Sequence, residues 1–385
     1  MSYTFTTPFI EKLFGCKFSA AADVQLLWKD DESFKTIFDA VRSAKDFICL
    51  EFYIFRNDET GKELAEILKQ KSREGVKVYL LYDHFGSFGT PSEFWKDLKN
   101  TGIKIMASHP FKWTNPCRYI HRDHKKLIII DGRKAFAGGL NIADEYSGFH
   151  LRRKGRTWRD TGIMLQGPIV GELFDIFKKS WRIWRGEPIT ISNLKSQISD
   201  FKETIPAIPI FVSSARGRRR MRRLLYYSIN HSKKSISLTT AYFTPSRRMV
   251  ETLENAVDRG VKVRLLVPGD SDIPAASYAG KAFFSRLLKA GVEIYTYTGE
   301  ILHAKTFIFD GCWSIIGSTN LDFQSLRYND EGNVGILNSG FATRMNEVFE
   351  EDLKRSIKIE LGEWRKRPLK EKIKEWFFSL FRRRL

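Results

Sequence analysis

The stretch HRDHKKLIIIDG, residues 121–132, places two histidines, an aspartate and two lysines directly before four apolar residues that end in Asp131 and Gly132. LHAKTFIFDG, residues 302–311, has the same form. Both read His-x-Lys-x4-Asp: His124, Lys126 and Asp131 in one copy, His303, Lys305 and Asp310 in the other. In a strand, residues i and i+2 point to one face, so each histidine projects together with its lysine. The apolar run that follows predicts a strand covered on both faces. A seven-residue strand spans about 20 Å, which carries each aspartate away from the histidine of its own motif. Asp131 and Asp310 therefore read as structural, each pairing with a base at the turn after its strand.

The rest of the chain repeats around these two copies. AKDFICLEFYIF, a helical run over 61–73 and EGVKVYLLYD match KKSISLTTAYFTP, a helical run over 247–258 and RGVKVRLLVPGD. Each block is strand, helix, strand. Gly75 and Gly260 stand just past the helix ends, where a left-handed residue closes the last turn. NTGIKIMAS and KAGVEIYTY then each supply a helix end, a glycine and a strand before the His-x-Lys copy. The predicted fold class is α/β: two pseudo-symmetric α/β/α halves, each a mixed sheet flanked by helices, with one active site between them. The expected boundaries are an N-terminal amphipathic segment over 1–22, a first half over 23–205, a second half over 206–358 and a basic amphipathic tail over 359–385. The polar segment around 190–205 reads as the linker.

Beyond each motif the parallel continues. AFAGGLNIADEY supplies Gly138, Gly139 and Asn141, and SIIGSTNLDFQS supplies Gly317, Ser318 and Asn320; each asparagine follows its histidine by 17 residues. The small pair before each asparagine lets backbone approach a ligand closely. Pooled, the halves offer two imidazoles, two ammoniums and two amides, so the candidate catalytic set is His124, Lys126, Asn141, His303, Lys305 and Asn320. That set suits a phosphodiester. One neutral imidazole attacks phosphorus and forms a covalent phosphohistidine. The other, protonated, gives its proton to the leaving oxygen and then, as a base, activates an alcohol or water. Lysines and asparagines stabilise charge on the non-bridging oxygens. No metal-ligand spacing is present, and the chemistry calls for no cofactor. A lone His-x-Lys is a chance pattern; two full copies with equal sequels are not.

These residues resemble the phospholipase D superfamily, whose HxKxxxxD motif occurs twice, and within it the bacterial cardiolipin synthases. The resemblance runs from about Val24 to Trp364. It is carried by RDHKKLIIIDGRKAFAGGLN, by TWRDTGIMLQGPIV and by HAKTFIFDGCWSIIGSTNLDFQSLRYNDE, in which Gln324 stands where the family pattern has arginine. The resemblance implies a phosphatidyl transferase that takes a phosphatidyl group from phosphatidylglycerol onto a histidine, releases glycerol and passes the group to a second phosphatidylglycerol. It implies His124 as nucleophile and His303 as general acid and base; the symmetry of the motifs leaves the reverse assignment open. Asp160 and Glu331 match the family's histidine-orienting carboxylates, a role that fixes the imidazole tautomer and favours the imidazolium. The simpler alternatives are an Asp160 that answers Arg159 and a Glu331 that is a solvated loop acid. Tyr53 and Tyr242 are candidates for the pocket mouth, Phe52 reads as core, and His121 and Asp123 are candidate rim residues. Two other readings use the same residues: a phospholipase D-type hydrolase or nuclease, and a non-catalytic polyanion binder.

The bulk composition concerns partners. A net charge of +19 over 385 residues attracts polyanions, either nucleic acid or an anionic lipid surface. Cys16, Cys49, Cys117 and Cys312 form no C-x-x-C pair, which excludes a disulfide framework or zinc site and suits a reducing compartment. Cys49 and Cys312 read as small hydrophobes in apolar segments. No run of 18 apolar residues predicts a membrane span, and the N-terminus lacks the features of a signal peptide. The expected location is peripheral, on the cytoplasmic side of the cell membrane.

Phe9, Ile10, Leu13 and Phe14 share one helical face near the N-terminus. Leu369, Ile373, Trp376, Phe377, Leu380 and Phe381 share another at the C-terminus, with lysines opposite and Arg382–Arg384 at the tip. Phe9, Leu13, Phe14, Trp376, Phe377, Leu380 and Phe381 are thus candidates for membrane binding, against the alternative that both helices pack on the protein. The aromatic, basic stretch HPFKWTNPCRY, residues 109–119, offers further lipid contact. ARGRRRMRRLLYY puts six arginines between Arg216 and Arg223, enough to track a nucleic-acid backbone or to hold headgroups. No nucleic-acid module accompanies them. The expected partners are therefore anionic phospholipid, chiefly phosphatidylglycerol, and the membrane surface, with no nucleic acid.

Overall fold

The computed structural model describes residues 5–111, 121–147, 157–189, 191 and 204–383. The chain forms two compact units: Phe18–Phe211 with Asn329–Val334, and Met1–Lys17 with Val212–Tyr328 and Gly335–Leu385.

The first unit is built on a seven-stranded sheet in the order Asp23–Leu27, Gly162–Gln166, Lys134–Gly138, Leu127–Ile130, Phe47–Phe52, Lys77–Asp83, Lys104–Ser108. Phe47–Phe52 runs parallel to Lys77–Asp83 and antiparallel to Leu127–Ile130, with Leu50 opposite both Leu80 and Ile128. Every residue of Phe47–Phe52 is buried because both faces of the sheet are covered. Ile48, Leu50 and Phe52 join a core with residues of the helices Asp30–Arg42, Glu59–Arg73 and Ser92–Asn100. On the other face Phe47 packs on Phe174 and Tyr79 on Trp181, both from the helix Ile169–Ile183.

The second unit repeats the central five strands. Ser235–Thr239 lies parallel to Lys262–Pro268, which lies parallel to Glu293–Tyr297. On its other side Ser235–Thr239 is antiparallel to Thr306–Phe309, which pairs with Trp313–Gly317. The helices Arg247–Asp258 and Ser339–Lys354 pack on these strands, and Ala215–His231 packs on Arg247–Asp258 and accepts at Ser228 Oγ from Trp313 Nε1. The duplicated order expected from sequence is the observed topology.

The Asp-Gly pair of each motif forms the hairpin turn after its strand. Asp131 and Gly132 have φ of 52° and 65°, Asp310 and Gly311 of 51° and 62°, a left-handed pair that matches strand twist and that Asp and Gly tolerate. The aspartates find backbone rather than a base. Asp131 accepts from the N–H groups of Lys45, Asp46 and Phe47 at 2.8–2.9 Å. Asp310 accepts from those of Lys233, Lys234 and Ser235 at 2.7–3.1 Å. Each carboxylate thus ties its hairpin to the start of the neighbouring strand.

Unit composition departs from the expected boundaries in three places. Ser19–Ala21 pairs antiparallel with Ile205–Val212, which carries the division past 205 to Phe211. The N-terminal helix Thr7–Phe14 belongs with the second unit, where Phe9 stacks on Tyr227 at 4.5 Å and Ile10 and Phe14 are buried. Asn329–Val334 belongs with the first unit: His124 donates to the Asp330 carbonyl at 2.8 Å, and the Asp330 N–H donates to the Arg122 carbonyl at 2.8 Å. The linker at 190 and 192–203 lies outside the described residues, as do 112–120 of the aromatic loop, Cys117, His150 and Arg384.

Candidate active site

The strand of the first motif begins at Leu127, so His124, Lys125 and Lys126 lie on the extended run leading into it rather than in the strand itself. A parallel bridge between Asp123 and Asp330 holds that run. Next to Asp330, Glu331 is fully buried and sets Oε2 3.1 Å from His124 Nδ1. The other carboxylate oxygen accepts from Asn329 Nδ2 at 3.2 Å. A carboxylate only accepts, so this bond places the imidazole proton on Nδ1 and leaves the Nε2 lone pair as the ring's nucleophilic position. Glu331 is not a solvated loop acid. The Tyr53 ring stands edge-on to His124 with centroids 5.0 Å apart, and Lys126 Nζ lies 5.2 Å from the centre of the Tyr53 ring while donating to the His124 carbonyl at 2.7 Å. Replacing Glu331 by Gln offers an N–H where an acceptor is needed and misorients the ring. We expect kcat to fall by about 10²–10⁴-fold with KM changed much less, read by initial rates across a range of pH.

In the second motif His303 and Lys305 are almost fully buried. Lys305 Nζ lies 2.6 Å from His303 Nδ1 and also donates to the His303 carbonyl. Tyr242 stands edge-on to His303 at 6.1 Å, as Tyr53 does to His124. The asparagines secure these tyrosine segments. Asn141 Oδ1 accepts from the Ile54 N–H at 3.1 Å, and its Nδ2 donates to Tyr146 Oη at 2.9 Å. Asn320 Oδ1 accepts from the Tyr242 N–H and the Thr240 hydroxyl, both at 3.3 Å. Asn141 thus ties the segment after the first strand to Tyr146. The small residues before Asn141 also serve a protein contact rather than a ligand. A Cβ on Gly139 would come 2.0 Å from Asp160 Oδ1. Asp160 is fully buried, with Oδ1 accepting from the Thr161 N–H at 2.7 Å, and Arg159 donates to its backbone carbonyl.

Three groups beside the first motif, Asp83, Lys125 and Glu51, do not stand out in the sequence. Asp83, at the end of its strand, accepts from the N–H groups of Phe85 and Gly86 at 3.0 Å each and from that of Asp123 at 2.7 Å. It thereby fixes the residue before His124. Asp123 is buried and is not a rim residue. Lys125, between the two motif residues, points the other way and pairs with Glu51 inside the sheet. Burial pushes the Asp83 carboxyl up to about 6, against the pull of its N–H donors. The folded carboxyl thus holds its proton more tightly than an unfolded one near 3.8. Its contribution to stability is fully present below that value and is lost as pH rises through about 6, a change of about 3 kcal/mol. Urea midpoints measured across this window should fall with pH in the wild type, and the fall should shrink in Asp83→Asn.

Residues 37–181 and 225–353 match the family model described as cardiolipin synthase, phospholipase D-like domain. The chain belongs to this family. A cardiolipin synthase 2 of Bacillus anthracis is 33% identical over 372 residues, covering 96% of this chain and 72% of that protein. A cardiolipin synthase of Halalkalibacterium halodurans is 35% identical over 356 residues, covering 91% and 69%. The fold is shared with the crystal structure of phosphatidylserine synthase from Haemophilus influenzae, at a TM-score of 0.77 with 13% identity over 98% of this chain and 100% of that one. This phospholipase D-like protein is an enzyme of that superfamily, and its family implies phospholipid substrates.

Among its described residues no helix is long and apolar enough to cross a membrane. The two amphipathic helices of this cardiolipin synthase family member differ in what they leave outside. In the N-terminal helix Phe14 and Ile10 are turned into the protein, Leu13 is half-buried, and Phe9 is exposed but stacked on Tyr227. Phe14 is therefore not available to lipid. In the C-terminal helix Leu369–Leu380, Trp376, Phe377 and Leu380 are exposed, as is Phe381 just beyond it. The arginine run lies on the helix Ala215–His231; Arg218 is buried and Arg222 donates to the Leu326 carbonyl, so part of that charge serves packing. Cys49 is buried, whereas Cys312 is half-buried beside a hairpin turn rather than inside a strand.

Proposed function

We propose that this protein is a cardiolipin synthase in activity: it transfers a phosphatidyl group between two phosphatidylglycerol molecules through a phosphohistidine on His124. The observation that carries this reading is the His124 Nδ1–Glu331 bond, 3.1 Å long within a buried pair. It supports His124 as the nucleophile. In the first step Nε2 attacks the phosphorus of one phosphatidylglycerol, a P–N bond forms, and the bond to the glycerol oxygen breaks. The departing glycerol takes a proton from His303. In the second step the terminal hydroxyl of another phosphatidylglycerol gives its proton to His303 and attacks phosphorus, the P–N bond breaks, and cardiolipin forms. His303 acts as the imidazolium, which gives one ring proton to the leaving oxygen and takes one back from the acceptor hydroxyl. Lys126 and Lys305 balance charge on the non-bridging oxygens. The protein works as a peripheral enzyme on the cytoplasmic face of the cell membrane, held by the exposed face of its C-terminal helix.

Purified protein incubated with vesicles of labelled phosphatidylglycerol, with lipids followed by mass spectrometry, tests this. We expect cardiolipin and free glycerol in equal amounts. Phosphatidate as the sole lipid product rejects the synthase and leaves a hydrolase of the same superfamily.

A further inference from the structure

An amphipathic surface helix ordinarily turns its apolar stripe to the protein. The C-terminal helix Leu369–Leu380 does the reverse. Leu369, Ile373, Trp376, Phe377 and Leu380 are 47–71% exposed. Its polar side is the docked one. Glu375 is buried and accepts from Arg367 Nε and Nη2 at 2.8 and 2.6 Å, Lys374 Nζ lies 3.3 Å from Tyr278 Oη, and Phe378 stacks on Tyr278.

Beneath this docked side lies an open cavity of about 360 Å³, lined by Arg247, Arg367, Lys372 and Arg382 with Glu375, Trp376 and Phe283. Four cations thus face one carboxylate, and that carboxylate is already bound to Arg367. Among the described residues no carboxylate pairs with Arg247, Lys372 or Arg382. Lys372 donates to the Arg365 carbonyl and Arg382 to the Ser379 carbonyl, both at 3.0 Å, contacts that orient the side chains without neutralising them. Burial, then the neighbouring charges of Arg247 and Arg383, hold the Arg382 guanidinium below its ordinary range. Like charges gathered around a cavity of ligand size are the complement of an anion. None of the motif residues lines the cavity.

We infer that this cavity is a headgroup site for the phosphodiester of a membrane phospholipid, clasped by Arg247, Lys372 and Arg382, with the lipid's chains running beside the outward apolar face of the C-terminal helix. The occupant is a lipid rather than a free phosphate because the cationic cavity and the exposed face share Trp376, which lines one and belongs to the other. A lipid fills both at once. The inference rests on the phospholipid reading of the protein but concerns docking and not turnover.

The test is co-sedimentation of the full chain with neutral phosphatidylcholine vesicles doped to equal surface charge with either phosphatidylglycerol or oleate. A general electrostatic attraction does not distinguish the two anions, and a phosphodiester site does. We expect the wild type to favour the phosphatidylglycerol vesicles by about fivefold or more. The variant Arg247→Gln/Lys372→Gln/Arg382→Gln should lose the preference while keeping residual binding to both. A control that removes equal charge outside the cavity, Lys366→Gln/Lys370→Gln/Arg383→Gln, should weaken both and keep the preference. Arg367 and Glu375 are left intact so that the helix stays docked, and Arg247→Gln alone repeats the measurement with the helix untouched. No preference in the wild type, or a preference retained by the cavity variants, overturns the proposal. Displacement from phosphatidylglycerol vesicles by soluble glycerol phosphate in the wild type overturns the assignment to lipid. Turnover in detergent micelles, measured in parallel, reports on the transferase separately: a failed transferase assay leaves the binding result standing.

Discussion

His124→Ala should abolish both turnover and the covalent intermediate, whereas His303→Ala should abolish turnover and retain the intermediate. If Nε2 of His124 takes the phosphatidyl group, its removal costs on the order of 10⁴-fold or more in kcat, as loss of a nucleophile does in other double-displacement enzymes. Acid-labile, base-stable label from phosphatidyl-labelled substrate should appear on the wild type and be absent from His124→Ala. With His303→Ala the proton for the leaving glycerol is missing. A substrate whose leaving group needs no proton, such as a nitrophenyl ester, should still load His124 and then stall, because no base activates the acceptor. Label that persists in His124→Ala and vanishes in His303→Ala reverses the assignment. The sequence is symmetric between the motifs and offers no basis for this asymmetry. The structure supplies one, since Glu331 fixes the proton of the His124 ring at Nδ1.

What was legible in the sequence follows from period and spacing. The all-buried strand Phe47–Phe52 appears as an unbroken apolar run, and its partner strands are marked by the glycines that close the preceding helices. The Asp-Gly pairs mark the hairpins because few other pairs accept two left-handed residues in succession. Roles that depend on partners far along the chain were not legible. Asn141 reads as a ligand group because its spacing repeats, and nothing in that spacing shows that its amide also joins Ile54 and Tyr146. Gly139 reads as room for a ligand, yet the room is taken by the Asp160 carboxylate. Nothing in the local pattern of Asn329–Val334 says that these six residues belong with the first unit, because that placement rests on backbone bonds to residues about 200 positions away. The apolar stripe of the N-terminal helix is visible in sequence, but a stripe is the same whether protein or lipid covers it. Here Ile10 and Phe14 are covered by protein.

Lys125→Met should be the most destabilising single change near the first motif. The ammonium is buried, bonded to Glu51, 2.8 Å from Ser180 Oγ and 3.4 Å from Asp123 Oδ1. Two buried carboxylates thus depend on one cation. Burial pushes the Glu51 carboxyl up to about 8 even with Lys125 pulling it down, and Asp123 adds to the rise. Without the cation, breaking the buried pair costs about 3–5 kcal/mol, since desolvated charge remains and its compensation is gone. Glu51 escapes part of this cost by taking a proton. Glu51 holds its proton in both folded proteins up to about pH 8, so the loss in Lys125→Met should be level below that value and grow above it, where the wild type ionises beside the cation and the variant does not. Replacing the partner as well, in Lys125→Met/Glu51→Leu, fills the space with apolar side chains and should recover about 1 kcal/mol or more of the single-variant loss. Urea denaturation at pH 6, 8 and 9 measures all three proteins. A Lys125→Met variant as stable as the wild type at pH 8 rejects the view that this ion pair holds the sheet together. The stake is functional as well as structural. Asp123, which shares the cation, bonds through its N–H to Asp83 and directly precedes His124, so the buried face of the strand entry and the reactive face are set by the same four residues, Asp123 to Lys126.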